Sequence, residues 1–402
     1  MSVLSPIDRI SAVDRPLRIA LLSPPFLPLP PLGYAGTERV VAALAIALQE
    51  RGNDITVFAP GDSGLPCRVI PIVDRALWPR GLSGDLGTYL TDAVAIVREN
   101  SAEFDVIHSH LDVAGFDLAR HSTTPVISTL HGRLDIDATA PAIDRYPDIP
   151  LVAISESQRR WHPEANWIAT IHHGLDFGET PFGDRPGEYL LLVGRIVREK
   201  GVSEAIDLAR ATGRKLVIAA KVHEASERDL FEETVRPAIA AGIVDWRGEV
   251  DTATRDGLMA GALATVMLGA WPEPFGLVAI ESMATGTPVI ARRAGALPEL
   301  IDHGYNGFLV DDLSEAALAV SRAARLDRRA VSAYARGRFS VERMASRYEE
   351  AFRRLLAVRH QTLGPHLQST VRREAQPNRR TAGASAGVDH EVAHATGGTA
   401  RG

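Results

Sequence analysis

The chain has one cysteine, Cys67, in 402 residues. That excludes an intramolecular disulfide and any multi-cysteine zinc or iron–sulfur centre. Lysine is nearly absent: Lys200, Lys215 and Lys221 are three of 44 basic residues, and the rest are arginine. Aromatic residues make up only 6%. No apolar run reaches the roughly 18–20 residues that a bilayer-spanning helix needs. The first 16 residues carry Asp8, Arg9, Asp14 and Arg15 and have no apolar core, unlike a signal peptide. A formal net charge of −6 removes the global basic field that would draw in nucleic acid. What is present is a globular composition, 45% hydrophobic and 23% charged. At roughly 100–200 residues per domain, the length favours two domains or three. A cytoplasmic protein is the expectation, with peripheral membrane contact left open.

Short apolar segments alternate with helical patterns along most of the chain. Arg18–Leu22, Asp54–Ala59, Arg68–Ile72, Phe104–His108, Pro125–Thr129, Leu151–Ile154 and Trp167–His172 read as strands. Thr37–Glu50 reads as a helix, with Val40, Val41, Leu44 and Leu48 on one face and Thr37 as its N-cap. A Gly-, Pro- and charge-rich stretch from 174 to 187 reads as a linker. A second series follows, at Tyr189–Val193, Lys215–Ala219, Ile243–Trp246, Ala264–Met267, Pro288–Ala291 and Phe308–Val310. Buried strands alternating with helices predict α/β architecture: two doubly wound, Rossmann-like domains, with ligands at the carboxyl ends of the strands. The expected limits are 1–175 and 176–355, flanking a cleft. Ser340–Arg359 predicts a long amphipathic helix, and residues 363–402 lose periodicity and read as a disordered tail whose removal spares activity.

Four segments carry the chemistry. In Trp271-Pro-Glu-Pro-Phe-Gly-Leu-Val-Ala-Ile-Glu281, Glu273 precedes a helix that starts at Phe275 or Gly276, and Glu281 lies within it. Free amides at such a helix start suit a diphosphate, and Gly276 lets it approach the backbone. Glutamates there can accept hydrogen bonds from sugar and ribose hydroxyls. Two glutamates with seven residues between them are unremarkable in a helical protein, and the Pro-Phe-Gly and Gly286-Thr287-Pro288 context is what makes the string specific. In Gly194-Arg-Ile-Val-Arg-Glu-Lys200-Gly201, two cations follow a strand five residues apart and can compensate a diphosphate. Arg198 reads as a solvated loop charge. Lys200 stands out in an arginine-rich chain. Gly33-Tyr-Ala-Gly36-Thr-Glu-Arg leads a loop into the first helix and fits either a phosphate cradle or a plain loop glycine. Ser128-Thr-Leu-His131-Gly132 ends a strand and presents an imidazole to the cleft.

Together these segments resemble the family 4 glycosyltransferases of the GT-B fold, over about Arg18 to Arg354. Pro30-Pro-Leu-Gly-Tyr-Ala-Gly-Thr-Glu-Arg-Val-Val and Phe339-Ser-Val-Glu-Arg-Met look like the avilamycin-type bacterial subgroup. The resemblance implies a C-terminal helix crossing back to the first domain, an acceptor site on that domain and a nucleoside diphosphate sugar donor on the second. It implies retention of anomeric configuration and no metal or other cofactor. By the same resemblance, His131 and Glu273 act at the transferred sugar. Arg195 and Lys200 neutralise the diphosphate, Gly276 and Leu277 present amides, Glu281 holds the ribose, Val250 lies near the base, and Gly36 cradles the donor. The chain departs from the pattern at Ala35, where the loop's first glycine is expected, at Lys221 after Ala219-Ala220, and at His173 before Gly174.

Rival readings rest on thinner signals. Asp135-Ile-Asp137 fits the Asp-x-Asp of a metal-dependent transferase. His108-Ser-His110 supplies two imidazoles without a third zinc ligand. Gly383-Ala-Ser-Ala-Gly387 matches a hydrolase elbow with no strand before it. A nicotinamide oxidoreductase would need Gly-x-Gly-x-x-Gly after the first strand, where Ser23-Pro-Pro-Phe stands. A nucleotide-sugar epimerase, a phosphorylase or a non-catalytic sugar-nucleotide-binding protein shares the architecture. Donor base, sugar, acceptor (sugar, lipid or small molecule) and oligomeric state are not legible.

Overall fold

The structure, a computed structural model, describes residues 15–362 apart from Tyr34, 83–85 and Ala138. The tail, the hydrolase-like Gly383–Gly387 string and part of the 81–87 loop lie outside the described residues. The described residues up to 359 form one compact unit.

Among the described residues, thirteen strands fall into two parallel sheets. The first contains β1 (Arg18–Leu22), β2 (Asp54–Pro60), β3 (Arg68–Val73), β4 (Val106–Ser109), β5 (Val126–Thr129), β6 (Leu151–Ala153) and β7 (Trp167–Thr170) in the order β3-β2-β1-β4-β5-β6-β7. The second contains β8 (Tyr189–Arg195), β9 (Lys215–Lys221), β10 (Val244–Gly248), β11 (Ala264–Met267), β12 (Val289–Arg292) and β13 (Gly307–Val310), ordered β10-β9-β8-β11-β12-β13. Every pairing within them is parallel. In both sheets the chain starts at the centre, winds to one edge, then returns and winds to the other. That reversal opens a crevice at the carboxyl ends of the central strands.

The strands are apolar because helices cover both faces. Ile19 and Leu21 pack to one side of β1, Ala20 and Leu22 to the other, and all four are buried in separate clusters. The long C-terminal helix, Val341–Thr362, joins the first of these clusters rather than the second domain's core. Val341, Met344, Ala345, Tyr348, Ala351 and Phe352 recur at helical spacing and pack with Leu17, Ile19, Leu44 and Ile171. The Tyr348 hydroxyl lies 3.0 Å from Thr129 Oγ1 at the end of β5, which ties the helix to the sheet. The stretch at 174–187 is pinned by the buried Arg328, whose guanidinium donates to the carbonyls of Gly183, Ala260 and Ala262.

Two local expectations change. Thr37 is the first helical residue and Gly36 takes the N-cap position, with no side chain bonded to the helix start. β8 runs two residues past Val193, so Arg195 ends a strand rather than opening a loop. The reason is its pairing with β9, which continues to Arg195 opposite Lys221.

Candidate active site

A cavity of about 1060 Å³ lies between the carboxyl ends of the two sheets. Ala35, Gly36, Arg39, His131 and Arg133 line it from the first domain; Arg195, Lys200, Glu273, Gly276, Leu277 and Glu281 line it from the second. Eight of the nine residues singled out in the sequence therefore meet in one space. Val250 does not; it lines a small adjoining pocket with Gly33, Ala219, Lys221 and Glu249.

Each wall is built by a local device. Gly276 caps the Leu277–Ala284 helix at φ 108°, a left-handed conformation that favours glycine. Gly276 has no side chain to bond that helix start, and neither has Gly36 at the start of the Thr37–Glu50 helix. Helices at 252, 313 and 328, in contrast, are capped by Asp251, Asp312 and Asp327. The two cavity helices thus keep unpartnered N–H groups and the positive end of their dipoles for an anion. Beside them, the turn before Gly201 lies against Gly269. A Cβ on Gly269 would sit 1.7 Å from the Glu199 carbonyl oxygen, so the two backbones approach as only glycine allows. That approach brings Lys200 Nζ within 2.6 Å of Glu273 Oε2 and 4.4 Å of the Trp271 ring centroid. Lys200 and Glu273, 73 residues apart, form one ion pair with side chains only 21% and 13% exposed.

Arg195 is anchored from behind. Its Nε donates to the fully buried Glu227 at 2.7 Å and its Nη2 to Glu224 at 2.8 Å. Those bonds fix the guanidinium at the cavity wall and leave Nη1 as a donor. Glu281 Oε1 pairs with two arginines: Arg255 Nη1 at 3.0 Å and Arg39 from the opposite domain.

His131 lies in a row of buried imidazoles. His110 Nδ1 is 2.9 Å from His131 Nε2, and His173 stacks on His131 with centroids 5.2 Å apart. His108 packs on His110 and meets Thr129 Oγ1 at 2.7 Å. Burial pushes His131 down to about 3, and His108, His110 and His173 are also pushed well below 6.5, chiefly by burial and secondly by neighbouring imidazoles. All four are neutral at pH 7, so the row carries no charge. Its backbone is held by Asp112, which accepts from the His131 N–H at 2.5 Å while sitting at φ 47°. The zinc reading of His108 and His110 gives way to this row: His108 Nε2 and His110 Nδ1 face Thr129 and His131, and among the described residues no cluster of three His, Cys, Asp or Glu side chains could hold a metal ion. Asp135, of the Asp-x-Asp match, is held in a two-bond pair by Arg133.

Sequence reading missed Arg255, Glu227 and Asp112, which no motif marks because each takes its place through a partner brought up by the fold. Arg39 stood in the Gly33–Arg39 string without a role of its own, and His110 entered only as a zinc candidate. His173 was visible only as a departure from a family pattern.

Known proteins bear on this site directly. The family model "Glycosyl transferases group 1" matches residues 183–331, and "Glycosyltransferase Family 4" matches residues 34–176. The chain belongs to the family 4 glycosyltransferases of the GT-B fold. The D-inositol 3-phosphate glycosyltransferase of Mycolicibacterium smegmatis is 28% identical over 351 residues, covering 74% of this chain and 81% of the relative. The glycogen synthase of Mycobacterium tuberculosis is 28% identical over 375 residues, covering 80% and 89%. Among solved structures, AviGT4, a glycosyltransferase involved in avilamycin A biosynthesis, superposes with TM-score 0.63 at 25% identity, covering 85% and 98%. The sucrose-phosphate synthase of Thermosynechococcus elongatus shares the fold, with TM-score 0.70 at 21% identity and coverage of 85% and 99%. So does HepE of Anabaena, solved with UDP and glucose, with TM-score 0.65 at 21% identity and coverage of 83% and 98%. Among the described residues of this glycosyltransferase, no helix is long and apolar enough to cross a membrane.

Proposed function

We propose that this glycosyltransferase moves a sugar from a UDP- or GDP-linked donor to an acceptor hydroxyl, with retention and without a metal. The observation that carries the reading is the Lys200–Glu273 pair beside the uncapped Leu277–Ala284 helix, on the floor of a cleft between two sheets. Residues 176–355 hold the donor, and residues 1–175 receive the acceptor. The diphosphate lies on the amides of Gly276 and Leu277, with Lys200 and Arg195 beside it and Gly36 opposite. Glu281 accepts from the ribose, and Val250 borders the base from the adjoining pocket. Nucleotide-bound HepE and the named activities of the relatives support a sugar-nucleotide donor and a polyol or sugar acceptor.

As the glycosidic bond breaks, the leaving diphosphate gains charge. Lys200, Arg195 and the helix amides stabilise that charge more strongly than the ground state, which is what lowers the barrier. Glu273 is engaged by Lys200, so it positions the sugar and does not attack it. The acceptor hydroxyl then attacks from the leaving-group face, and its proton passes to a donor phosphate oxygen. His131, neutral, hydrogen-bonds the transferred sugar.

Incubation with a panel of labelled nucleotide sugars, with and without excess chelator, tests the reading. Nucleoside diphosphate release with transfer or hydrolysis, unchanged by chelator, is the expected result. Interconversion of the sugar without release would establish an epimerase instead, and loss of turnover in chelator would remove metal independence.

A further inference from the structure

The first helix does more than line the cleft. Its opening turn reaches the second domain at consecutive residues. Arg39 pairs with Glu281, with side chains 20% and 6% exposed. Glu38 is buried and lies under the field of Lys221 at the end of β9. Just upstream, Gly33 approaches Glu249, whose Oε1 would lie 3.1 Å from a Cβ at position 33. One loop-and-helix segment thus meets the wall that carries Glu281 and Val250 at Gly33 and Arg39, with Glu38 in the field of Lys221 between them.

Other contacts between the domains are of a different kind. Ser155 Oγ donates to the Pro274 carbonyl at 2.7 Å, and Glu299 accepts the Glu156 and Ser157 amides at 2.9 and 2.7 Å. Glu299 also meets His172 Nε2 at 3.0 Å, the His172 and His173 rings pack on Phe275, and Arg133 lies over Trp271, but none of these contacts engages Glu281. Arg39 instead grips a carboxylate proposed to hold the donor ribose. It meets that carboxylate at Oε1, the oxygen also taken by Arg255, which leaves Oε2 for a ribose hydroxyl. The cavity stays open with the pair formed, so the pair and a bound donor are compatible.

We propose that Arg39 is a positioning residue: it orients Glu281 toward the donor ribose from across the cleft and thereby couples ribose binding to closure of the two domains. This rests on the placement of the donor ribose at Glu281 given above. A fixed carboxylate loses less freedom when the ribose binds, and the bound ribose in turn holds Glu281 where Arg39 needs it. The coupling is reciprocal by linkage.

The test uses the full chain as wild type, Arg39→Ala and Arg39→Lys, with matched melting temperatures as the folding control. UDP, GDP and their 2′,3′-dideoxy analogues are titrated by calorimetry, and the ligand-free proteins are compared by small-angle scattering. In wild type the dideoxy analogue binds more weakly than its parent. In Arg39→Ala the parent nucleotide binds about tenfold more weakly, the dideoxy penalty shrinks, donor KM rises with little change in kcat, and the ligand-free particle is larger. Arg39→Lys keeps a charge and returns within about threefold of wild type. Unchanged affinity and an unchanged dideoxy penalty in Arg39→Ala would overturn the inference, even if the particle opened. A wild type that binds no nucleoside diphosphate would defeat the donor reading itself, and with it the ribose coupling; the wild-type titration alone tells these failures apart.

Discussion

Acidification from pH 7 to pH 5.5 should destabilise this protein out of proportion to its size, through the four buried imidazoles of His108, His110, His131 and His173. Each is held neutral in the folded state, His131 down to about 3 and the others well below 6.5, with burial the leading cause. In the unfolded chain each titrates near 6.5. A folded pKa depressed in this way leaves stability intact above the unfolded value. It removes stability as pH falls, because the unfolded state takes up protons that the folded state refuses. Between pH 7 and 5.5 each group costs about 1 kcal/mol, and four cost about 4 kcal/mol, against a typical total of 5–15 kcal/mol. Glu38, Asp112 and Asp256 act in the opposite sense, since burial raises their carboxyls and the folded state binds their protons more readily. The figure is therefore an upper bound. Urea unfolding at pH 7, 6.25 and 5.5 measures the slope, and His110→Asn should lower it by up to one proton. A stability that changes by less than about 1 kcal/mol across that range would refute the neutral-imidazole row.

Replacing Glu273 or Lys200 with Ala should cut transfer by about 10²–10³-fold while leaving the melting temperature close to wild type; near-normal turnover in either variant would sink the site assignment. Gly269→Ala forces a Cβ onto the Glu199 carbonyl and should cost about 3 kcal/mol in urea unfolding, with loss of activity through displaced Lys200. Tyr348→Phe removes the buried bond to Thr129 and should cost about 1 kcal/mol, whereas Tyr348→Ala should cost about 3–5 kcal/mol; equal effects would mean the hydroxyl, not the ring, docks the last helix. At lower pH, Asp105 adds a separate loss: Arg15 and Arg18 outweigh burial and hold its carboxyl far below the usual range, so this stability is present above about pH 4 and disappears below it. Arg15→Ala should flatten that acid limb in a thermal-melt series.

Most strands were legible because each is a short apolar run buried on both faces, and burial on both faces is written into composition at every position of the strand. Helix faces were legible for the same reason, as Val40, Val41, Leu44 and Leu48 show. Local pattern ends where pairing takes over. Nothing in Val193-Gly194-Arg195 says that β8 continues, because its extension depends on β9 lying alongside. The site divides similarly. Glu273, Gly276 and Lys200 sit in strings whose residue types and spacing already imply an anion-binding helix start and a compensating cation. Their union into a 2.6 Å ion pair was not in either string; it depends on Gly201 and Gly269 letting two loops touch.

By itself, then, the sequence determined the two α/β halves, the carboxyl-end location of the site and the residue types that meet an anion there. These follow from periodicity and from chemistry local to each segment. Only the tertiary structure decided the partners: Glu227 behind Arg195, Asp112 beneath His131, the row of imidazoles, and Arg39 reaching Glu281. The physical reason is that a charge or imidazole acquires its state from whatever surrounds it in space. Those neighbours come from strands and helices up to 242 residues apart, as Arg39 and Glu281 are.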